Sequence, residues 1–167
     1  MKNKINIKKV TQVLAVIFLA LVGFKIYSFG ISQTSSNEFK IESIDETLLT
    51  PKIQIGSKAV FDIIIADEEE EKVRGLSGYD KLEDYQGMAF FFNKLDRHGF
   101  WMKDMRFSID IIGFDDTQTI VWLAPDLLPE SFPTVFTPSR PVQYVLEVPA
   151  GSIEAFGLTL GETGSFE

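Results

Sequence analysis

"SIDIIGFDDTQTIVWLA", residues 108–124, decides the fold. Two apolar, β-branched runs, SIDIIGF and TIVWLA, flank the polar tetrapeptide DDTQ, the pattern of two strands joined by a short turn. Further strands follow in both directions. Upstream, GMAFFF (87–92) has no polar position and reads as a buried strand, followed by a polar loop, NKLDRH (93–98). KIQIG (52–56) and KAVFDIIIA (58–66) are short, β-branched and partly alternating. Downstream, VQYVLEV (142–148) is a clean strand and GETGSF (161–166) opens a last one.

Two stretches depart from this period. In DEEEEKVRGL (67–76), Asp67 is placed to cap a helix, the four glutamates fall in its first turns, and Gly75 marks its end. Stacked acids suit a solvated helix start; a calcium loop alternates its ligands. GSIEAFGL (151–158) reads as a second helical turn. LAPDLLPESFPTVFTPSRP (123–141) holds five prolines in nineteen residues, so a long irregular excursion is expected there, of a kind that commonly carries function. The sequence therefore predicts one mainly β domain, a sandwich or barrel over residues 51–167, with one or two short helices.

Composition narrows the function. The chain has no cysteine, which removes disulfides, thiolate metal sites, a cysteine nucleophile and a lipoprotein acylation site. With fifteen Phe, large side chains must supply the stabilising burial. Residues 1–30 hold five lysines and no acid, leaving all 24 acids against 11 bases in the remainder. A nucleic-acid binder needs the opposite balance, so nucleic acid is not an expected partner.

The N-terminus reads as an address. MKNKINIKK (1–9) is basic and precedes a twelve-residue apolar run, Val13 to Phe24. Read through Lys25, Val10 to Ile31 would extend about 33 Å as a helix, enough to cross a bilayer. Lys25 would snorkel to the interface and Tyr27 would lie among the headgroups. Ser28-Phe29-Gly30 also offers a cleavage site, so a secreted or periplasmic form is the alternative to an uncleaved anchor. Either way the lysines before the span hold that end inside and the domain is exported. Residues 32–50, polar and weakly patterned, form the expected tether.

GFWMKDM (99–105) sets Lys103 and Asp104 beside Trp101 and Met102, and Asp110 lies among isoleucines. An aspartate in an apolar strand is costly unless satisfied. Three arrangements answer this. Asp110 accepts loop amides while Lys103 lies on the surface; or Asp110 forms a structural ion pair with Arg74 or Lys103, the arrangement expected here; or Arg74, Lys103 and Asp110 converge on a shallow ligand cleft floored by Trp101. Glu147, also in an apolar strand, is open to the reading of an edge residue facing water. His98 is the single histidine and reads as an exposed loop residue without a role. There is no G-x-S-x-G, phosphate loop, dinucleotide fingerprint or EF-hand spacing. No catalytic residue, metal ligand or cofactor is assigned.

The ordered set Arg74-Gly75-Leu76, Gly87-Met88-Ala89-Phe90, Phe100 to Lys103, Ile109-Asp110-Ile111 and Val145-Leu146-Glu147 with Gly151 resembles the bacterial and archaeal family catalogued as domain of unknown function 192. The resemblance covers roughly residues 53–167. It implies a β-rich, sandwich-like fold, often behind an export signal, and no established reaction. Ser77 stands where the family has Met, Asp104-Met105 replace Asn-Thr, Ser108 precedes the apolar-Asp pair, and Gly161-Glu162 replace a late Gly-Asp.

The function expected is a membrane-tethered extracytoplasmic module binding a small ligand, a glycan or an envelope protein. The alternatives are an envelope hydrolase using Asp110 with Lys103 or Arg74, and a structural or assembly protein contacting its partner through the 125–141 segment.

Overall fold

A computed structural model describes residues 50–167, which lie within one compact unit, Ile44–Glu167. The anchor and most of the tether fall outside the described residues. Among the described residues no helix is long and apolar enough to cross a membrane.

The strands are β1 (Lys52–Ile55), β2 (Ala59–Ala66), β3 (Gln86–Asp96), β4 (Phe100–Trp101), β5 (Ile109–Phe114), β6 (Ile120–Leu127), β7 (Val135–Phe136), β8 (Val142–Pro149) and β9 (Gly164–Phe166). Two short helices, α1 (Glu69–Arg74) and α2 (Ser152–Ala155), interrupt them. Seven strands form one sheet in the order β6-β5-β8-β3-β2-β1-β9, and β4 pairs with β7 apart from it. All pairings are antiparallel except β2 with β3, whose parallel return crosses through α1.

The fold is mainly β, as the sequence predicts, and takes the form of a curled half-barrel. Its two edge strands approach at one end. There Ile120 donates to the Glu162 carbonyl at 2.7 Å, Gly161 to that of Ile120 at 2.9 Å, and Gly164 to that of Gln118 at 2.8 Å. These bonds occupy backbone groups that two free edges would leave open.

The hairpin forms at the predicted place. The Asp115 carboxylate accepts the amides of Thr117 and Thr119, each at 3.0 Å, and so holds the turn. Each face of the sheet carries its own core. Phe61, Ile112, Phe114, Leu146 and Val148 pack on one face; Met88, Phe90, Ile109, Ile111 and Val145 pack on the other. Phe61, Phe90 and Phe114 are fully buried, each contributing about 1.5–3 kcal/mol of burial.

Three local expectations shift. Helix α1 is capped by Glu68 rather than Asp67, and the Glu68 amide donates to the Glu71 carboxylate at 3.3 Å. The expected loop at 93–98 is strand as far as Asp96, because after a register shift β3 resumes pairing with β8 at Asp96 opposite Val142. The proline-rich excursion is only partly irregular: β6 runs on to Leu127, and β7 provides the partner that makes Phe100–Trp101 a strand at all.

Candidate functional site around Glu147

Strand β8 is central, flanked by β3 and β5. Glu147 stands opposite Met88 on one side and Ile111 on the other, so the sheet surrounds it with apolar neighbours. The residue is 6% exposed and, among the described residues, its carboxyl makes neither a hydrogen bond nor an ion pair with the protein; its oxygens keep a small opening to the cleft rather than being sealed. Burial alone pushes its pKa up to about 8, because a charged carboxylate there would lose its water and gain no donor. At neutral pH Glu147 is therefore mostly an uncharged acid.

Above it lies a cleft of about 230 Å³. The turn after α1 forms one wall. Gly75 has φ 50° and ψ −136°, a conformation that favours glycine, and its amide closes the helix on the Glu71 carbonyl at 2.8 Å. A Cβ on Gly75 would lie 4.0 Å from Glu147 Oε2, so this turn passes directly over the carboxyl. The opposite wall is aromatic: Phe90 and Phe92 from β3, Phe100 and Trp101 from β4. Phe100 meets Phe90 edge-on at 5.8 Å and Phe92 edge-on at 6.2 Å, which fixes all three rings.

His98 belongs to this wall. Its ring lies flat on Phe92, with centroids 3.7 Å apart and planes 9° from parallel, and it is half-buried rather than exposed. In the same lining, the largely buried Lys72 side chain pairs its ammonium with Glu69 at 2.9 Å and sits 5.5 Å from the centre of the Phe92 ring.

The two loops that frame the mouth are tied together. Ser77 donates its hydroxyl to the Lys103 carbonyl at 2.8 Å, and the Gly78 amide bonds the Asp104 carbonyl at 3.2 Å. Ser77 and Asp104, two of the departures noted in the sequence, thus sit where the Arg74-Gly75-Leu76 and Trp101-Met102-Lys103 segments meet. Asp104 itself takes a left-handed φ of 56°.

Of the residues the sequence brings forward, Arg74, Trp101 and Lys103 meet beside this mouth, in an open hollow of about 480 Å³. Trp101 is 47% exposed there. Asp110 does not join them. It is fully buried, and its two oxygens accept the amides of Asp126 at 2.9 Å and Ile153 at 2.8 Å. The expected ion pair with Arg74 or Lys103 is absent. Backbone amides from β6 and the first turn of α2 satisfy the charge instead, so no cation is needed. Its face of the sheet is the other one: Asp110 stands opposite Val148, whereas Ile111 stands opposite Glu147.

Sequence reasoning undervalued Glu147 and His98. The signal for Glu147 was the same as for Asp110, an acid within an unbroken apolar strand. His98 gave none, since its ring partner Phe92 lies across a bend of the chain. Among the described residues no group of His, Asp and Glu is placed to hold a metal ion.

Residues 52–166 match the DUF192 family, described as "Uncharacterized ACR, COG1430". The chain belongs to this family. Two solved structures share its fold. One is a protein of unknown function from Novosphingobium aromaticivorans, 26% identical, with a TM-score of 0.65 over 68% of this chain and 83% of that one. The other, from Sinorhizobium meliloti and provisionally assigned as a transcription regulator, is 21% identical, with a TM-score of 0.67 over 70% of this chain and 93% of that one. Its likeness establishes the fold alone. Among curated proteins, none matches this chain.

Proposed function

We propose that this DUF192 domain is a small-ligand-binding module, held outside the membrane by residues 10–31, with the Glu147 cleft as its site. One observation carries the binding reading. A carboxyl more than nine-tenths buried opens onto an aromatic cleft with no donor from the protein. Such a group costs stability and is retained where something else completes it. The volume suits a ligand of a few to about a dozen heavy atoms, at the small end of ordinary binding sites. The basic segment before the apolar run supports an external position for the domain.

The hydrolase alternative loses its original residues, since Asp110 faces the other core. A protonated Glu147 has the character of a general acid. Its neighbours across the sheet, Met88 and Ile111, are apolar, however, and binding needs no second reacting group. The structural alternative draws support from Phe132 and Val135, half-exposed in the proline-rich excursion.

Thermal-shift measurements on the full chain test the module, using neutral sugars, small amines and small carboxylates as probes. At least one class should raise the melting temperature, and Glu147→Gln or Trp101→Ala should abolish the rise. No shift from any class, or shifts indifferent to both substitutions, would remove the reading.

A further inference from the structure

We propose that the Glu147 cleft takes a small ligand bearing a protonated amine on an apolar body, the ammonium pairing with the Glu147 carboxylate and the body lying against Phe90, Phe100 and Trp101. This rests on the ligand-binding reading above and names the chemistry the site selects.

The first argument is donor supply. Asp110 receives two backbone amides, whereas Glu147 receives none, so a ligand that displaces water from the cleft must itself bring the donors. A hydroxyl brings one. An ammonium brings three and a compensating charge. A ligand carboxylate would bring a second acid to a site that already disfavours one negative charge.

The second argument is the wall. Aromatic faces attract cations and exclude water from the pair they cover. The chain displays this arrangement in the lining of the same cleft: the Lys72 ammonium lies 2.9 Å from the Glu69 carboxylate and 5.5 Å from the centre of the Phe92 ring. In the same cleft, the Glu147 carboxyl and the Phe90, Phe100 and Trp101 rings have no such ammonium among the described residues.

The third argument concerns the charges that face Glu147. Helix α1 and its turn contribute Glu69, Lys72 and Arg74; the segment before β4 contributes His98; β3 and β5 place only Met88 and Ile111 against it. Lys72 is engaged by Glu69, and Arg74 is exposed at the mouth. None of them lowers the Glu147 pKa, which burial alone sets near 8. An arriving ammonium reverses that. It stabilises the carboxylate, and the carboxyl proton leaves to solvent as the ion pair forms.

The experiment is calorimetric titration of the purified full chain with benzylamine and with benzyl alcohol, near neutral pH, in two buffers of different ionisation enthalpy. Benzylamine should bind at least about tenfold more tightly than the alcohol and release close to one proton per molecule bound. Glu147→Gln should lose both the preference and the proton release. Trp101→Leu, at a half-exposed position, should weaken the amine more than the alcohol. Equal or tighter binding of the alcohol, amine binding without proton release, or an amine preference that survives Glu147→Gln would overturn the proposal. Alcohol binding that Trp101→Leu weakens would leave the ligand-binding module standing without its amine. Binding of neither probe overturns the amine proposal, and the probe panel above then decides the module on its own.

Discussion

Asp110 and Glu147 leave adjacent strands one residue out of step, Asp110 opposite Val148 and Glu147 opposite Ile111, so their carboxyls point to opposite faces of one sheet. Both are buried, yet their environments differ. Asp110 meets the amides of Asp126 and Ile153. Glu147 meets rings and aliphatic side chains under the Gly75 turn. The first acid stabilises the fold by tying α2 and the end of β6 to β5. The second is a liability to the fold, and that contrast is why the binding proposed above is placed on its face.

Glu147 should make stability depend on pH in the sense opposite to an ordinary carboxylate. Its folded pKa is raised from 4.5 to about 8, so the folded state holds the proton more tightly than the unfolded chain. Its contribution is therefore fully present below 4.5 and is lost as pH rises toward 8. The slope is about 1.4 kcal/mol per pH unit, or roughly 3–5 kcal/mol over the window. Glu147→Gln, neutral throughout, escapes this loss, so its stability relative to wild type should rise by that amount. Urea unfolding of both proteins at about pH 5 and about pH 8.5 measures the difference, while other titrating groups cancel. Parallel pH curves for the two proteins would refute it.

Asp110→Ala strands two buried amides and should cost roughly 2–5 kcal/mol. Asp110→Asn, which still offers one acceptor, should cost less. Because no cation is involved, Arg74→Ala and Lys103→Ala should each change stability by under about 0.5 kcal/mol. A double-mutant cycle between Asp110 and Arg74 should give no coupling; an interaction above about 1 kcal/mol would restore the ion pair.

The elements the sequence made legible are those whose signal is local. The hairpin at 108–124, β8 and the acidic start of α1 follow from period, β-branching and the helix dipole within a few residues. What the sequence hid is non-local. Nothing in KAVFDIIIA announces a parallel partner beyond a helix, or places β8 between β5 and β3. The segment Asn93–Asp96 looks like loop because its polarity is all that shows, whereas its strand state depends on β8. At the site, Arg74, Trp101 and Lys103 line one hollow. For Asp110 the sequence leaves both loop amides and a cation open; the cation is the expected partner because side chains are visible in a sequence, while a backbone amide from Ile153, 43 residues away, is not. Glu147 differs from Asp110 only in lacking such amides, which is a property of the folded chain.

Gly75 and Gly87 should respond to alanine for different reasons and to different degrees. At Gly75 the Cβ would have ordinary room, 3.5 Å from Phe90 Cζ, so the cost is the backbone conformation, about 1–3 kcal/mol. At Gly87 it would lie 2.9 Å from the Glu147 carbonyl oxygen and 2.8 Å from Leu146 Cδ1, between paired central strands. The backbone cannot yield there without parting β3 from β8. Gly87→Ala should therefore destabilise more than Gly75→Ala, read from urea midpoints, and the reverse order would contradict the close strand contact.

Export gives the last prediction. The lysines at positions 2, 4, 8 and 9 precede the apolar run, and residues 32–50 follow it with no apolar period. If the first segment stays inside and the tether emerges outside, a protease added to intact spheroplasts meets the tether before the β domain. The domain's backbone is held in a seven-stranded sheet and should resist, whereas the tether should be cut. The expected product is a stable fragment beginning near residue 50 and retaining the C-terminus, formed without lysing the cells. Full protection until lysis would place the domain in the cytoplasm. Release of the intact domain into the medium before any protease is added would instead indicate cleavage after Ser28-Phe29-Gly30 and a secreted or periplasmic protein.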